Sequence, residues 1–138
     1  MNAEIEELIS DFELLDDWED RYRHLIELGR ELPEMDLAFK TSATKVNGCA
    51  SQVWIHSRVA GSGANKKLAL QGDSDALIVK GLIAVVFKLF GPLNVADIQS
   101  ADAAAVLARL GLKDHLTPQR SNGLASMVAR IKADAAAA

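Results

Sequence analysis

The stretch Ala76–Phe90 is apolar almost throughout, interrupted in charge only by Lys80 and Lys88. A helix of that composition has almost no face to offer to water, so other elements must surround it. The run is too short and too interrupted to cross a bilayer comfortably, which makes it the expected central helix of a packed core. Its ends carry their own signals. Gly72-Asp73-Ser74-Asp75 reads as the helix start, with Asp73 or Ser74 as N-cap and Asp75 favoured by the dipole in the first turn. Gly91-Pro92 stops it.

What surrounds this helix follows from the patterns on either side. Ile5, Leu8, Ile9, Phe12 and Leu15 recur at three- and four-residue spacing, an amphipathic helix. Asp16-Asp17-Trp18-Glu19 resembles a capping box, with Asp16 as N-cap, opening a second helix that Pro33 ends. A connection this short makes the two helices an antiparallel hairpin. Residues 33–44 have no strong period. Ala43–Val46 is a short candidate strand, followed by the turn signal Asn47-Gly48. Gln52–Ala60 and Lys66–Gln71 alternate as strands around a Gly61-Ser62-Gly63-Ala64-Asn65 hairpin loop. Residues 94–100 and 102–110 are short helical pieces, and His115 falls in a polar loop. Thr117-Pro118 opens a last helix through Leu124, Met127, Val128 and Ile131, and the alanines after Asp134 are expected to fray. Helices, then strands, then helices make an α+β fold: a small antiparallel sheet of about three strands, packed with an N-terminal helix hairpin and C-terminal helices. With no repeat and no linker, residues 1–138 are expected to form one domain.

The charge balance narrows the function. The net charge of −4 argues against general nucleic-acid binding. The acidic start lacks the basic and apolar segments of a secretory signal, so a cytoplasmic protein without a membrane partner is expected. Residues 1–36 hold 13 acidic and 3 basic side chains, and residues 37–138 hold 6 acidic and 12 basic. That polarity predicts association that weakens with added salt. No carboxylate lies between Asp36 and Asp73, where Lys40, Lys45, Arg58, Lys66 and Lys67 all fall.

Cys49 lies inside that window and is the only cysteine. A lone thiol cannot form an internal disulfide or supply several thiolates to a metal site, so no metal is expected. It can attack an electrophile, carry a group, or fill space in the core. The turn at Asn47-Gly48 and the small Ala50-Ser51 favour an accessible loop, and nearby lysines would favour the thiolate. His24, His56 and His115 leave open a Cys–His pair for hydrolysis.

At Gly48-Cys49-Ala50-Ser51-Gln52-Val53-Trp54-Ile55 the sequence resembles the SufE/CsdE family of sulfur-acceptor proteins. Three further collinear stretches carry the same resemblance: Glu27–Pro33, Leu70–Asp75 continuing through Val79–Ile83, and Leu116–Ser121. The resemblance implies a SufE-like fold, similar to that of IscU-type scaffolds. It implies a sulfur carrier without independent turnover or a cofactor of its own. The partner is a PLP-dependent cysteine desulfurase of SufS or CsdA type, whose persulfide sulfur passes to Cys49. An iron–sulfur scaffold is the downstream acceptor, and the carrier stimulates the desulfurase. A single cysteine fits a carrier and not a cluster scaffold. A binding module that activates a desulfurase without using its thiol is the alternative.

The resemblance assigns Gly48, Ser51 and Gln52 to the active-site loop. It puts Asp73 and Asp75 beside it, with Asp75 controlling how freely the loop opens. Arg120 stands in the first turn of the last helix, where the dipole disfavours a cation. The resemblance gives it to the desulfurase-facing surface. Trp54 beside the loop reads as a core residue. Residues 34–44 and 92–112 differ most from a generic member, leaving SufE and CsdE types undivided.

Overall fold

The structure is a computed structural model that describes residues 2–138, the side chain of Lys113 excepted. The expected central helix is α3, Leu77–Phe90, in which ten of 14 residues are buried. Helices α1 (Ala3–Glu13), α2 (Trp18–Arg30) and α7 (Pro118–Ala136) and strand β2 (Lys67–Ser74) pack around it. Leu82, Ile83, Val85 and Phe90 have no exposed surface, and each such side chain contributes about 1.5–3 kcal/mol on burial. The fold is therefore organised on α3.

The N-terminal hairpin forms as its periodicity predicts. Ile5, Leu8, Ile9 and Phe12 turn one stripe of α1 inward. Asn2 caps α1 by accepting the Ile5 N–H, and its amide donates to the Leu89 carbonyl at 2.9 Å, tying the start of α1 to the end of α3. The cap of α2 is Asp17 and not Asp16: one Asp17 oxygen accepts from the N–H groups of both Glu19 and Asp20. Helices α2 and α3 approach so closely at Gly29 and Gly81 that a Cβ on Gly81 would lie 2.1 Å from the Leu25 carbonyl oxygen.

Among the described residues the sheet has two strands where about three were expected. Strand β1 (Val53–Ala60) pairs antiparallel with β2, in register from Val53↔Ser74 to Ala60↔Lys67. The candidate strand at Ala43–Val46 is reduced to a single bridge, Lys45↔Trp54, with the Val46 N–H donating to Val53 and the Ile55 N–H to Thr44. The reason is local. Lys45 N–H bonds back to Thr41 and the Thr44 hydroxyl donates to the Phe39 carbonyl, so the chain is turned until residue 44. Asn47-Gly48 turns it again, with Gly48 at φ +89°.

Strand β2 continues through Gly72, Asp73 and Ser74, which were expected to start the helix. Pairing these residues with Trp54 and Val53 of β1 satisfies backbone groups that an earlier helix start would leave open. Neither Asp73 nor Ser74 is the N-cap of α3, and Asp75 precedes its first turn. The cap position is Ala76, whose N–H donates to the Ser74 hydroxyl at 3.2 Å.

Three short helices, α4 (Val95–Ile98), α5 (Ala103–Arg109) and α6 (Leu112–His115), lead to α7. Helix α6 replaces the expected polar loop at His115, anchored by the fully buried Leu112. Thr117 caps α7 by accepting the Arg120 N–H, with Pro118 in the first turn as expected. The alanine tail does not fray at Asp134. The helix continues to Ala136 because Ala135 is buried against the core.

Candidate functional site

The loop 47–52 leaves the Lys45–Trp54 bridge and lies across α7. Gly48 makes this possible twice over. Its φ of +89° is disfavoured for other residues, and a Cβ there would stand 2.5 Å from the Ser126 hydroxyl of α7. One residue on, the Cys49 thiol donates to the Gly123 carbonyl at 3.6 Å. Gly123 is buried beneath it, and an added Cβ would sit 3.4 Å from the sulfur.

Cys49, Ala50 and Ser51 form one wall of a cavity of about 240 Å³. Val79 and Leu82 of α3 and Arg120 and Met127 of α7 face them across it. The cavity is of mixed character, its polar side formed by Ser51, Thr117, Gln119 and Arg120, the last three at the N-terminal end of α7. The Arg120 guanidinium also reaches the Tyr22 hydroxyl of α2 at 3.5 Å.

The far end of the loop is held by Asp75. Its Oδ1 accepts the Gln52 N–H at 3.0 Å, and its own N–H donates to the Gln52 carbonyl at 3.4 Å. Asp73 does not line the cavity. It pairs with Lys40 and, at 3.2 Å, with Lys80, while Lys40 also stands 5.3 Å from the centre of the Trp54 ring. Burial opposes ionisation of Asp73. The hydrogen bonds from Lys40, the Ser74 N–H and Lys80 outweigh that penalty and hold its pKa below the ordinary carboxylate value.

The expectation that the basic window would favour a Cys49 thiolate is overturned. Cys49 is half-buried, and that burial raises its pKa by removing part of the water around the sulfur. Lys40 is consumed by Asp73, and Lys67 donates to the Asn94 side chain at 3.0 Å. In this position burial favours the thiol over the more nucleophilic thiolate.

No histidine lines the cavity. His24 packs edge-on against Phe12, His56 stacks on Phe39 with ring centres 4.2 Å apart, and His115 stacks on Trp18 at 4.3 Å. Each is occupied in packing, so the Cys–His arrangement is not formed. Among the described residues no group of three or more His, Cys, Asp or Glu is arranged to hold a metal ion, and no helix is long and apolar enough to cross a membrane.

Of the residues singled out in the sequence, the fold brings Cys49, Ser51 and Arg120 to one cavity. It makes Gly48, Gln52 and Asp75 the supports of the loop, and it leaves Asp73 outside in an ion-pair cluster. Sequence reasoning missed Gly123 and Ser126, the α7 residues on which the loop rests. A glycine inside a helical segment costs about 1 kcal/mol relative to alanine, and that cost is the available signal of a close approach.

The model of a family described as a SufE, Fe–S metabolism associated domain matches residues 6–135. The chain belongs to the SufE family. It is similar to an uncharacterized SufE-like protein of Rhizobium meliloti (strain 1021), 47% identical over 131 residues that cover 95% of this chain and 94% of the relative. A second uncharacterized SufE-like protein, from Rhizobium etli, is 46% identical over 133 residues, 96% of this chain and 90% of the relative. In fold, the chain is similar to a hypothetical protein from Thermus thermophilus known from a solution structure. The TM-score is 0.77 at 19% identity, covering 97% of this chain and 94% of that one. Membership links the chain to Fe–S metabolism.

Proposed function

We propose that this SufE-family protein accepts sulfur on Cys49 from the persulfide of a PLP-dependent cysteine desulfurase of SufS or CsdA type. It stimulates that enzyme and passes the sulfur on to iron–sulfur cluster assembly. The observation that carries the reading is the seat of Cys49. The only thiol in a SufE-family chain sits at the tip of a short loop, over a small cavity, held by a few weak bonds.

The step needs no external oxidant or reductant. Cys49 loses its proton and the thiolate attacks the terminal sulfur of the desulfurase persulfide. A new S–S bond forms on Cys49 as the old one breaks, and the desulfurase cysteine departs as thiolate and takes up a proton. The sulfane sulfur keeps its oxidation state. Partial burial disfavours the Cys49 thiolate, so movement of the loop off its seat favours attack. Asp75 and Gln52 act as the latch, Gly48 as the pivot. Arg120, at the cavity mouth, faces the partner. No independent turnover is expected of the protein alone.

Incubating the protein with a desulfurase and L-cysteine should add about 32 Da, one sulfur, to the Cys49 peptide. Cys49→Ser should gain nothing and should lose stimulation of the desulfurase. A protein that acquires no sulfur, or a Cys49→Ala variant that stimulates like wild type, overturns the carrier reading. The latter result would instead identify a binding module that activates the desulfurase.

A further inference from the structure

Both arms that carry the Cys49 loop are fastened to α7 by one pair of side chains far along the helix. Arg130 Nη2 donates to the Ala43 carbonyl at 2.6 Å, and Nη1 to the Lys45 carbonyl at 3.4 Å. Its Nε donates to Asp134, at 3.1 Å to one oxygen and 3.4 Å to the other. Asp134 in turn accepts the Ser57 hydroxyl of β1 at 2.7 Å. The incoming arm, residues 43–45, and the outgoing arm, β1, are thereby tied to one another through α7. The same helix supplies Gly123 and Ser126 beneath the loop tip. Arg130 and Asp134 side chains are 26% and 24% exposed, so the pair they form is less screened by water than a surface pair, while the bonds to the Ala43 and Lys45 carbonyls lie at an exposed site.

We propose that Arg130, supported by Asp134, is a positioning residue for sulfur transfer: it anchors the base of the Cys49 loop so that opening is confined to residues 47–52. The proposal rests on the carrier reading above. Its physical content is a difference between the two ends of the loop. The tip is held by the long thiol contact to Gly123 alone, and its far end by the solvent-exposed bonds between Asp75 and Gln52. The base is held by three bonds, from Arg130 to Ala43 and Lys45 and from Ser57 to Asp134, that converge on a paired guanidinium and carboxylate, and charge-assisted bonds are stronger than neutral ones. A loop with a fixed base delivers its tip along a narrow path. A loose base lets the thiol out but scatters its direction, and misplacement of a reacting group slows a transfer.

Arg130→Met keeps the aliphatic stem and removes every donor, whereas Arg130→Lys keeps the charge without the fork. In the free protein, Arg130→Met should speed hydrogen exchange of the Val46 and Ile55 amides, which close the bridge at the loop base. Alkylation of Cys49 by iodoacetamide should rise with it. In the presence of desulfurase the maximal rate of sulfur transfer should fall, although the thiol is more exposed. Each change should be roughly three- to tenfold, with Arg130→Lys between Met and wild type. Exchange of the Leu82 and Val85 amides in α3 reports global opening. If these also quicken in Arg130→Met, the same criteria are read on Arg130→Lys. Unchanged exchange at Val46 and Ile55 overturns the anchor, and faster exchange with undiminished transfer overturns its positioning role. If wild type acquires no sulfur, the carrier reading fails instead, and the exchange measurement still decides whether the anchor exists.

Discussion

Asp75 and Gln52 hold one another reciprocally. The Gln52 N–H donates to Asp75 Oδ1 at 3.0 Å, and the Asp75 N–H donates to the Gln52 carbonyl at 3.4 Å. The pair lies one step beyond Val53↔Ser74, so it prolongs the β1–β2 ladder to within three residues of Cys49. One of the two bonds depends on a side chain, which makes the latch adjustable by substitution.

Asp75→Ala removes that acceptor and leaves the backbone bond. The site is exposed, so the loss should be modest, about 0.5–1 kcal/mol, and alkylation of Cys49 should quicken roughly two- to fivefold. Iodoacetamide kinetics followed by mass spectrometry measure this. A wild-type rate would show that Asp75 does not restrain the loop.

Gly48→Ala meets two obstacles, the positive φ and the Ser126 hydroxyl. The variant should lose about 1–3 kcal/mol of stability, read from its denaturant midpoint. Adding Ser126→Ala relieves only the steric part, so the double variant should recover a fraction of the loss. Full recovery would show that backbone conformation is not what requires glycine there.

Asp73→Asn should destabilise the protein at neutral pH by roughly 1.5–3 kcal/mol, since it deprives Lys40 and Lys80 of their partner. The Asp73 pKa is lowered by folding, so its stabilisation is present above the ordinary carboxylate value and is lost as pH falls through the depressed one. The difference between variant and wild type should therefore shrink in acid. A gap constant from neutral to strongly acid pH would rule out the ion pairs as its source.

Cys49 titrates in the opposite sense. Burial raises its pKa, so the closed seat favours the neutral thiol, fully below the ordinary thiol value and progressively less as pH rises through the raised one. The alkylation rate of the native protein should reach its midpoint at higher pH than that of the urea-unfolded chain. Coincident midpoints would mean that the seat does not shield the sulfur.

The amino-acid order alone was enough for the helix hairpin, the apolar α3, the Gly91-Pro92 stop and the Thr117-Pro118 start, because each depends on periodicity or on residues adjacent in the chain. It also singled out Cys49 and the turn before it. It failed where a long-range ladder competes with a local preference. Gly72-Asp73-Ser74 has the chemistry of a helix cap, yet pairing with β1 draws these residues into β2, because a backbone ladder satisfies more groups than a single cap. Ala43–Val46 has the composition of a strand, but turns on both sides leave it one bridge.

The thiol itself divides the two kinds of knowledge most clearly. That Cys49 stands alone, after a glycine turn and among lysines, is written in the chain. Whether those lysines reach it is not, because Lys40 is taken by Asp73, which lies 33 residues further on. Only the tertiary structure brings Gly123 and Ser126 of α7 under the loop and Arg130 to its base, more than seventy residues from the segments they hold. Packing, and not sequence proximity, partly buries the sulfur and raises its pKa. Desolvation depends on everything that surrounds a group, which no stretch of neighbouring residues can specify.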